Sequence, residues 1–222
     1  MSNLYIVSTP IGNLGDITLR AIETLKKVDL ILAEDTRQTA KLLNKYKIVK
    51  PLESFFEHNE DKKIDSVISK LKNGTEIALV SDSGTPTISD PGFKLIRKAV
   101  GAQIKVIPIP GPSAVLTALV ASGLPTDKFL FLGYFPKKFS KQKQMVDFIE
   151  KITSVEPITT IFFESPYRVK KTLDLLATQF PTKDVVIGRE LTKKHEEFLI
   201  GKPKELVNKK FSTKGEFTLL LR

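Results

Sequence analysis

Short apolar, β-branched runs punctuate the first half of the chain: "LYIV" (4–7), "DLILA" (29–33), "EIALV" (76–80) and "IKVIPI" (104–109). None alternates strictly with polar residues, which predicts strands buried on both faces. The segments between them have helical spacing. In "TLRAIETLKK" the residues Leu19, Ile22 and Leu25 recur every three positions and predict one apolar stripe, with Thr18 as cap and Asp16 near the positive end. "SVISKLKNG" closes on Gly74, a C-terminal stop. Strands alternating with helices predict an α/β fold with a mostly parallel sheet.

The second half has another texture. Strand-like runs are "FLFLGYF" (129–135), "ITTIFFES" (158–165), "DVVIGREL" (184–191), "EEFLIGK" (196–202) and "EFTLLLR" (216–222). Helices are expected over 139–152 and 166–180, and the later strands follow closely on one another. This predicts a mixed sheet with antiparallel pairs. The prolines and glycine of "PIPGPSAV" (108–115) cannot continue a helix or a central strand. The expected organisation is therefore two α/β domains, 1–111 and 112–222.

Composition narrows the chemistry. With 222 residues and 41% hydrophobic content the chain can bury real cores. It has no cysteine, so no disulfide, thiol nucleophile or thiolate metal site, and only His58 and His195 are available as imidazole ligands. No metal is expected. The N-terminus carries no basic leader, and no apolar stretch approaches the roughly 20 residues of a membrane span, so a soluble, cytoplasmic protein is expected. The net charge is +10. Residues 1–111 carry 16 basic and 13 acidic side chains, whereas residues 112–222 carry 19 and 12. The excess, including "PKKFSKQK" (136–143), suits a polyanion such as RNA and equally a solvated lysine-rich surface.

Neither a phosphate-loop signature nor G-x-G-x-x-G is present. What remains is a set of turn-rich loops, each following an expected strand: "STPIGNLGD" (8–16), "AEDTRQT" (33–39), "SDSGTPTISDPG" (81–92) and "PGPSA" (110–114). One such loop is an ordinary connection. Four of them converge on the edge where parallel sheets bind ligands. Within the third, Asp90 suits an N-cap and Pro91 the first helical position.

At these loops the residues match a known group. "TPIGNLGDITLRA", "AEDTR", "HNE" (58–60), "SDSGTPTISDPG", "PGPSAVLTALVASGLPTDKFLFLGYFPKK", "FFESPYR" (162–168), "RELTKKHEEF" (189–198) and "KGEF" (214–217) occur in the order of one family. The chain resembles the ribosomal RNA small subunit methyltransferase I family of the tetrapyrrole methylase superfamily. The resemblance implies two α/β domains, a homodimer, and S-adenosylmethionine bound in a cleft between the domains. It also implies 2′-O-methylation of a cytidine ribose in the decoding region of small-subunit ribosomal RNA. The implied partner is that RNA or the assembled small subunit, not DNA and not a membrane. Departures are Thr87 where Gly is expected, Ser83 for Ala and Tyr167 for His. The chain ends at "KGEFTLLLR", where many relatives are expected to continue.

By the same resemblance Gly84, Thr85 and Ile88 line the cofactor, with Ser113 and Ala114, while Pro10 and Gly12 close another side. Asp82 is placed with this set. Ser113 either contacts the cofactor or caps the helix that follows it. A hydroxyl nucleophile calls for a general base, and the strand-end carboxylates Asp35 and Glu164 are the candidates. Their alternative is to hold Arg37 and Arg168 in ion pairs; positioning without a base is also open. Arg37, Arg168, Arg189 and Lys193 lie in matched blocks and suit phosphate. Lys137 and Lys138, with Lys141 and Lys143, add a salt-sensitive electrostatic contribution. Tyr134 and Tyr167 suit base stacking, and Phe135 suits the core. Two other classes compete: methylation of a tetrapyrrole, another small molecule or a protein, and RNA binding without catalysis. The basic second half and the "AEDTR", "HNE" and "ESPYR" blocks oppose the former, and the intact glycine loops oppose the latter.

Overall fold

The computed structural model describes residues 2–222, which divide after Ser113 into two compact units. The first contains β1 (Asn3–Val7), α1 (Leu19–Lys27), β2 (Leu30–Ala33), α2 (Thr36–Lys45), β3 (Leu52–Ser54), α3 (Glu60–Lys72), β4 (Ile77–Val80), α4 (Phe93–Gly101) and β5 (Lys105–Ile109). All five strands are parallel, in the order β3-β2-β4-β1-β5. Side-chain alternation divides each strand between two cores. Val7, Ile31, Ala33, Ala78 and Val80 pack with Ala21 and Leu25 of α1 and Leu42 and Leu43 of α2. Leu4, Ile6, Leu32, Ile77 and Leu79 pack with Val67 and Leu71 of α3 and Leu95 and Ala99 of α4. Burial on both faces is why these strands lack polar alternation.

Three details depart from the expectations. The edge strand β3 was not foreseen: its three half-buried residues, "LES", carry Glu53, which pairs with Lys63 and Lys70 of α3. In α1, Thr18 Oγ1 does accept from the Ala21 N–H at 3.1 Å. The buried face, however, is Ala21, Thr24 and Leu25, while Leu19 is 79% exposed. The small Ala21 lets the helix approach the sheet, and a stripe traced through large residues alone misses it. Finally, α4 starts at Phe93 with Gly92 as N-cap, so Asp90 is not the cap and Pro91 is not the first helical residue. The cap sits at φ +117, and a Cβ there would lie 2.6 Å from Leu79 Cδ2, so only glycine suits the position.

The second unit contains α5 (Ala114–Ala121), β6 (Phe129–Tyr134), α6 (Phe139–Val155), β7 (Thr159–Glu164), α7 (Val169–Gln179), β8 (Val185–Arg189), β9 (Glu197–Gly201), α8 (Pro203–Asn208) and β10 (Phe217–Leu221). Its sheet is mixed, in the order β6-β7-β10-β8-β9, with β6 and β7 parallel and the other pairs antiparallel. One face buries Phe162, Ile187, Phe217 and Leu219 against Ile149 of α6, Leu173 and Leu176 of α7 and Leu206 of α8. Phe135, 1% exposed, belongs to this core. Helix α5 packs against β7 and β10. Among the described residues, no helix is long and apolar enough to cross a membrane.

Candidate active site

Because the strands of the first sheet are parallel, the connections after β1, β2, β4 and β5 leave from one edge. Short hydrogen bonds tie them together. Thr9 and Gly84 exchange both backbone bonds, at 2.8 and 3.0 Å, and Thr9 Oγ1 donates to the Ser81 carbonyl at 3.1 Å. Ser8 N–H donates to the Ile109 carbonyl at 3.2 Å. Ser8 Oγ lies 3.0 Å from Thr85 Oγ1, which donates to the Pro112 carbonyl at 3.3 Å. With one proton per hydroxyl, the chain runs Ser8 to Thr85 to Pro112. Gly84 sits at φ +80 with Ile11 packed close above it, so the tie between the first and third loops depends on a residue without Cβ.

Thr85 is thus held between the β1 loop and the Pro112 carbonyl, the residue before Ser113. Pro10 is buried beside this tie, Gly12 and Ile88 are exposed, and Ser113 and Ala114, half-buried, run into α5. The rest of the third loop is strained. Thr87 and Ser89 sit at φ +76 and +67, and a β-branched residue rarely adopts that conformation. Thr87 is the position where the resemblance expects glycine, and the backbone supplies the reason.

Four carboxylates gather between β2 and β4. Asp82 Oδ1 accepts from the Asp35 N–H at 2.9 Å, and the Asp82 N–H approaches Glu34 Oε2 at 3.4 Å. Asp35 caps α2, accepting from the Arg37 N–H at 2.8 Å. The same carboxylate takes a fork from Arg37, with Nε at 3.0 Å and Nη2 at 2.7 Å. These bonds hold Asp35 at a pKa of about 2. Its neighbours move the other way. Burial raises Glu34 and Asp82, each opposed by a backbone N–H and reinforced by nearby negative charge. Asp90 is pushed up to about 7, first by burial and then by the charge of Glu34, with the Ser81 hydroxyl opposing and Asp82 adding a smaller push. Among the described residues, no group of His, Cys, Asp or Glu side chains is arranged to hold a metal ion.

The structure brings Pro10, Gly84, Thr85, Asp82 and Asp35 to one edge. Glu34 and Asp90 share it and were not among the sequence candidates. The proximity of "AED" to the capping residue was the available signal, but only folding joins positions 34, 82 and 90.

In the second unit the other candidates are committed internally. Glu164 is buried at the end of β7, where Oε1 pairs with Arg168 Nη2 at 2.6 Å and accepts from the Ser165 N–H at 2.5 Å. Its Oε2 accepts from the Thr172 hydroxyl. Both oxygens are occupied, so the carboxylate is placed as an anchor rather than as a base. Arg189 pairs with Glu197 at 2.9 Å and donates to the Lys214 carbonyl. Lys193 bridges Glu190 and Glu216 at 2.8 and 3.0 Å. These pairs hold Arg168, Arg189 and Lys193 in place, and Arg168 Nε and Nη1 are buried without a hydrogen-bond partner among the described residues. Lys137, Lys138 and Tyr167 are exposed, as is the Arg37 side chain at 88%.

Comparison with known proteins agrees with this architecture. Residues 3–207 match the family model described as Tetrapyrrole (Corrin/Porphyrin) Methylases. The chain is 49% identical over 220 residues to the ribosomal RNA small subunit methyltransferase I of Halalkalibacterium halodurans, covering 98% of this chain and 75% of that protein. It is 45% identical over 223 residues to the protein of the same name from Thermotoga maritima, covering 100% and 98%. Among solved structures, diphthine synthase superposes with a TM-score of 0.76 at 14% identity, covering 99% of this chain and 90% of that one. The methyltransferase CobJ superposes at 0.72 and 15% identity, covering 100% and 94%. At those identities the two structures speak for the fold alone.

Proposed function

Because this chain belongs to the ribosomal RNA small subunit methyltransferase I group of the tetrapyrrole methylases, we propose that it is an S-adenosylmethionine-dependent ribosomal RNA methyltransferase acting in the cytoplasm. The finer reading is transfer to the 2′-oxygen of a cytidine ribose in the decoding region of the small subunit. The observation that carries the proposal is the tied edge of Thr9, Gly84, Thr85 and Pro112 beside the carboxylates Glu34, Asp82 and Asp90.

The residues suit that cofactor. An ammonium and a sulfonium call for negative charge, which this edge supplies in Glu34, Asp82 and Asp90. Gly84, Thr85, Ile88, Ser113 and Ala114 would hold it, with Pro10 and Gly12 on another side and Asp82 at the border. When bound, it supplies a methyl group on a cationic sulfur. The protein's own part is chiefly positioning, which contributes about 7–11 kcal/mol in well-oriented intramolecular reactions. Asp35 takes Nε and Nη2 of Arg37 and so fixes the guanidinium, whose remaining N–H groups are left for the substrate phosphate. Asp90, with a proton affinity near neutrality, is the carboxylate suited to take the proton that a ribose hydroxyl releases.

Lys137 and Lys138 supply exposed positive charge for RNA. A homodimer is part of the reading. Helix α5, "AVLTALVA", leaves Leu116 and Val120 exposed at 49% and 76% and offers an apolar face for it. The test of the function is incubation with methyl-labelled S-adenosylmethionine and either small subunits or naked small-subunit RNA. Label in RNA supports the proposal. Cofactor binding without label in either substrate removes it.

A further inference from the structure

A cavity of about 160 Å³ lies beside the tied loops, and its walls include Pro10, Leu14, Gln38, Thr39, Leu42 and Asp82. Thr39 is 4% exposed, and its hydroxyl has no hydrogen-bond partner among the described residues. Buried polar groups are normally completed by protein, water or ligand. One water would satisfy Thr39, but the space corresponds to roughly five waters at about 30 Å³ each. Pro10, Leu14 and Leu42 give the cavity an apolar surface for a ring, and its other walls, Lys41 among them, are polar. A cavity of about 150 Å³ takes up benzene, so this one has room for a six-membered ring.

The polar groups form a readable edge. Gln38 Oε1 already accepts from Lys41 Nζ at 2.9 Å, which leaves its amide N–H groups to donate. Asp82 Oδ1 already accepts from Asp35, which leaves Oδ2 to accept. Thr39 offers a hydroxyl. A ring that presents an exocyclic amino group to Asp82 and ring acceptors to Gln38 and Thr39 is cytosine; uracil would turn a carbonyl toward the carboxylate. Thr9 and Ser81 also line the cavity, and Thr9 is bonded to Gly84, which places such a ring beside the loop assigned to the cofactor. Resting on the function proposed above, we propose that this cavity receives the cytosine ring of the target nucleotide, turned out of its stack.

The test uses Gln38→Leu and Thr39→Val in the full chain, with small subunits whose target position carries cytidine or uridine. S-Adenosylmethionine binding is measured separately by calorimetry. Each variant is expected to lower kcat/KM on cytidine substrates by about 10-fold or more, with cofactor affinity unchanged. Wild-type protein is expected to prefer cytidine, and Asp82→Asn to narrow that preference. Gln38 is exposed, so its variant keeps the test valid if Thr39→Val folds poorly. RNA methylation at wild-type kcat/KM and preference in the variants overturns the pocket alone. Wild-type protein that binds cofactor and labels no RNA overturns the function proposed above and the pocket with it.

Discussion

Asp82 Oδ1 accepts the backbone N–H of Asp35 at 2.9 Å, so the loop after β4 grips the first turn of α2. The grip leaves the Asp35 carboxylate free for its cap and for Arg37. Asp35→Asn keeps a side chain that caps well and removes the charge that holds the guanidinium. The expected result is an intact fold, weaker RNA binding, and a kcat lowered less than about 10-fold, short of the upper range for losing a general base. A 1,000-fold loss of kcat (roughly the scale of general-base catalysis) with unchanged RNA affinity would return Asp35 to the role of base.

Asp90 makes stability depend on pH. Its carboxyl titrates at about 7 in the folded chain against an ordinary value of 3.8. Between those values the unfolded chain releases a proton that the folded chain keeps, so stability falls as pH rises from about 4 to about 7. Above 7 the folded protein bears the whole cost of the charge. Asp90→Asn should raise stability at pH 8 by on the order of 1–2 kcal/mol, discounted for partial exposure, and by almost nothing near pH 3.5. Denaturant melts at the two pH values check this. The same variant should lose the limb of the pH–rate profile near 7.

Glu164 is expected to matter for folding. Glu164→Ala leaves the Arg168 charge without its partner, at a cost of about 3–5 kcal/mol. Glu164→Gln keeps the shape but also loses the charge that pairs with Arg168, so it should cost less stability than Glu164→Ala and leave turnover close to wild type. Denaturant midpoints and kcat, measured on both, separate an anchor from a base. Normal stability with abolished turnover in Glu164→Gln would contradict the anchoring role.

Thr87 carries strain at φ +76. Thr87→Gly should relieve it and stabilise the protein by about 1 kcal/mol, the left-handed penalty less part of the glycine entropy. Thermal melts check the direction. A destabilised variant would mean that packing of the Thr87 methyl near Gly92, where a Cβ would lie 3.3 Å away, outweighs the backbone.

The exposed α5 face offers a test of the proposed homodimer. Val120→Lys, at a position 76% exposed, should leave the fold intact and shift a homodimer toward monomer in sedimentation equilibrium. An unchanged dimer would move the interface elsewhere.

The parallel and mixed sheets were legible because the strands other than β3 are built on apolar runs bounded by turn residues, from "LYIV" to "EFTLLLR". The four loops were legible because glycine, proline and aspartate cluster after those runs. What escaped was whatever depends on neighbours distant in sequence. Leu19 looked like core until the sheet chose Ala21 instead, and Asp90 looked like a cap until Gly92 was needed against Leu79. Glu34, Asp82 and Asp90 reveal their mutual repulsion only when folding brings them together. The arginines and lysine in the matched blocks carried the right chemistry for RNA, but Glu164, Glu197, Glu190 and Glu216 claim Arg168, Arg189 and Lys193 in the fold.

The most direct measurement is the position of the transferred methyl group. Small subunits lacking the modification are treated with the protein and labelled S-adenosylmethionine, and the RNA is digested with alkali, which spares the bond after a 2′-O-methylated ribose. Label in an alkali-resistant dinucleotide with cytidine at its 5′ side is the expected result. Label confined to a base, to protein, or absent from RNA while the cofactor binds would contradict ribose methylation by this chain.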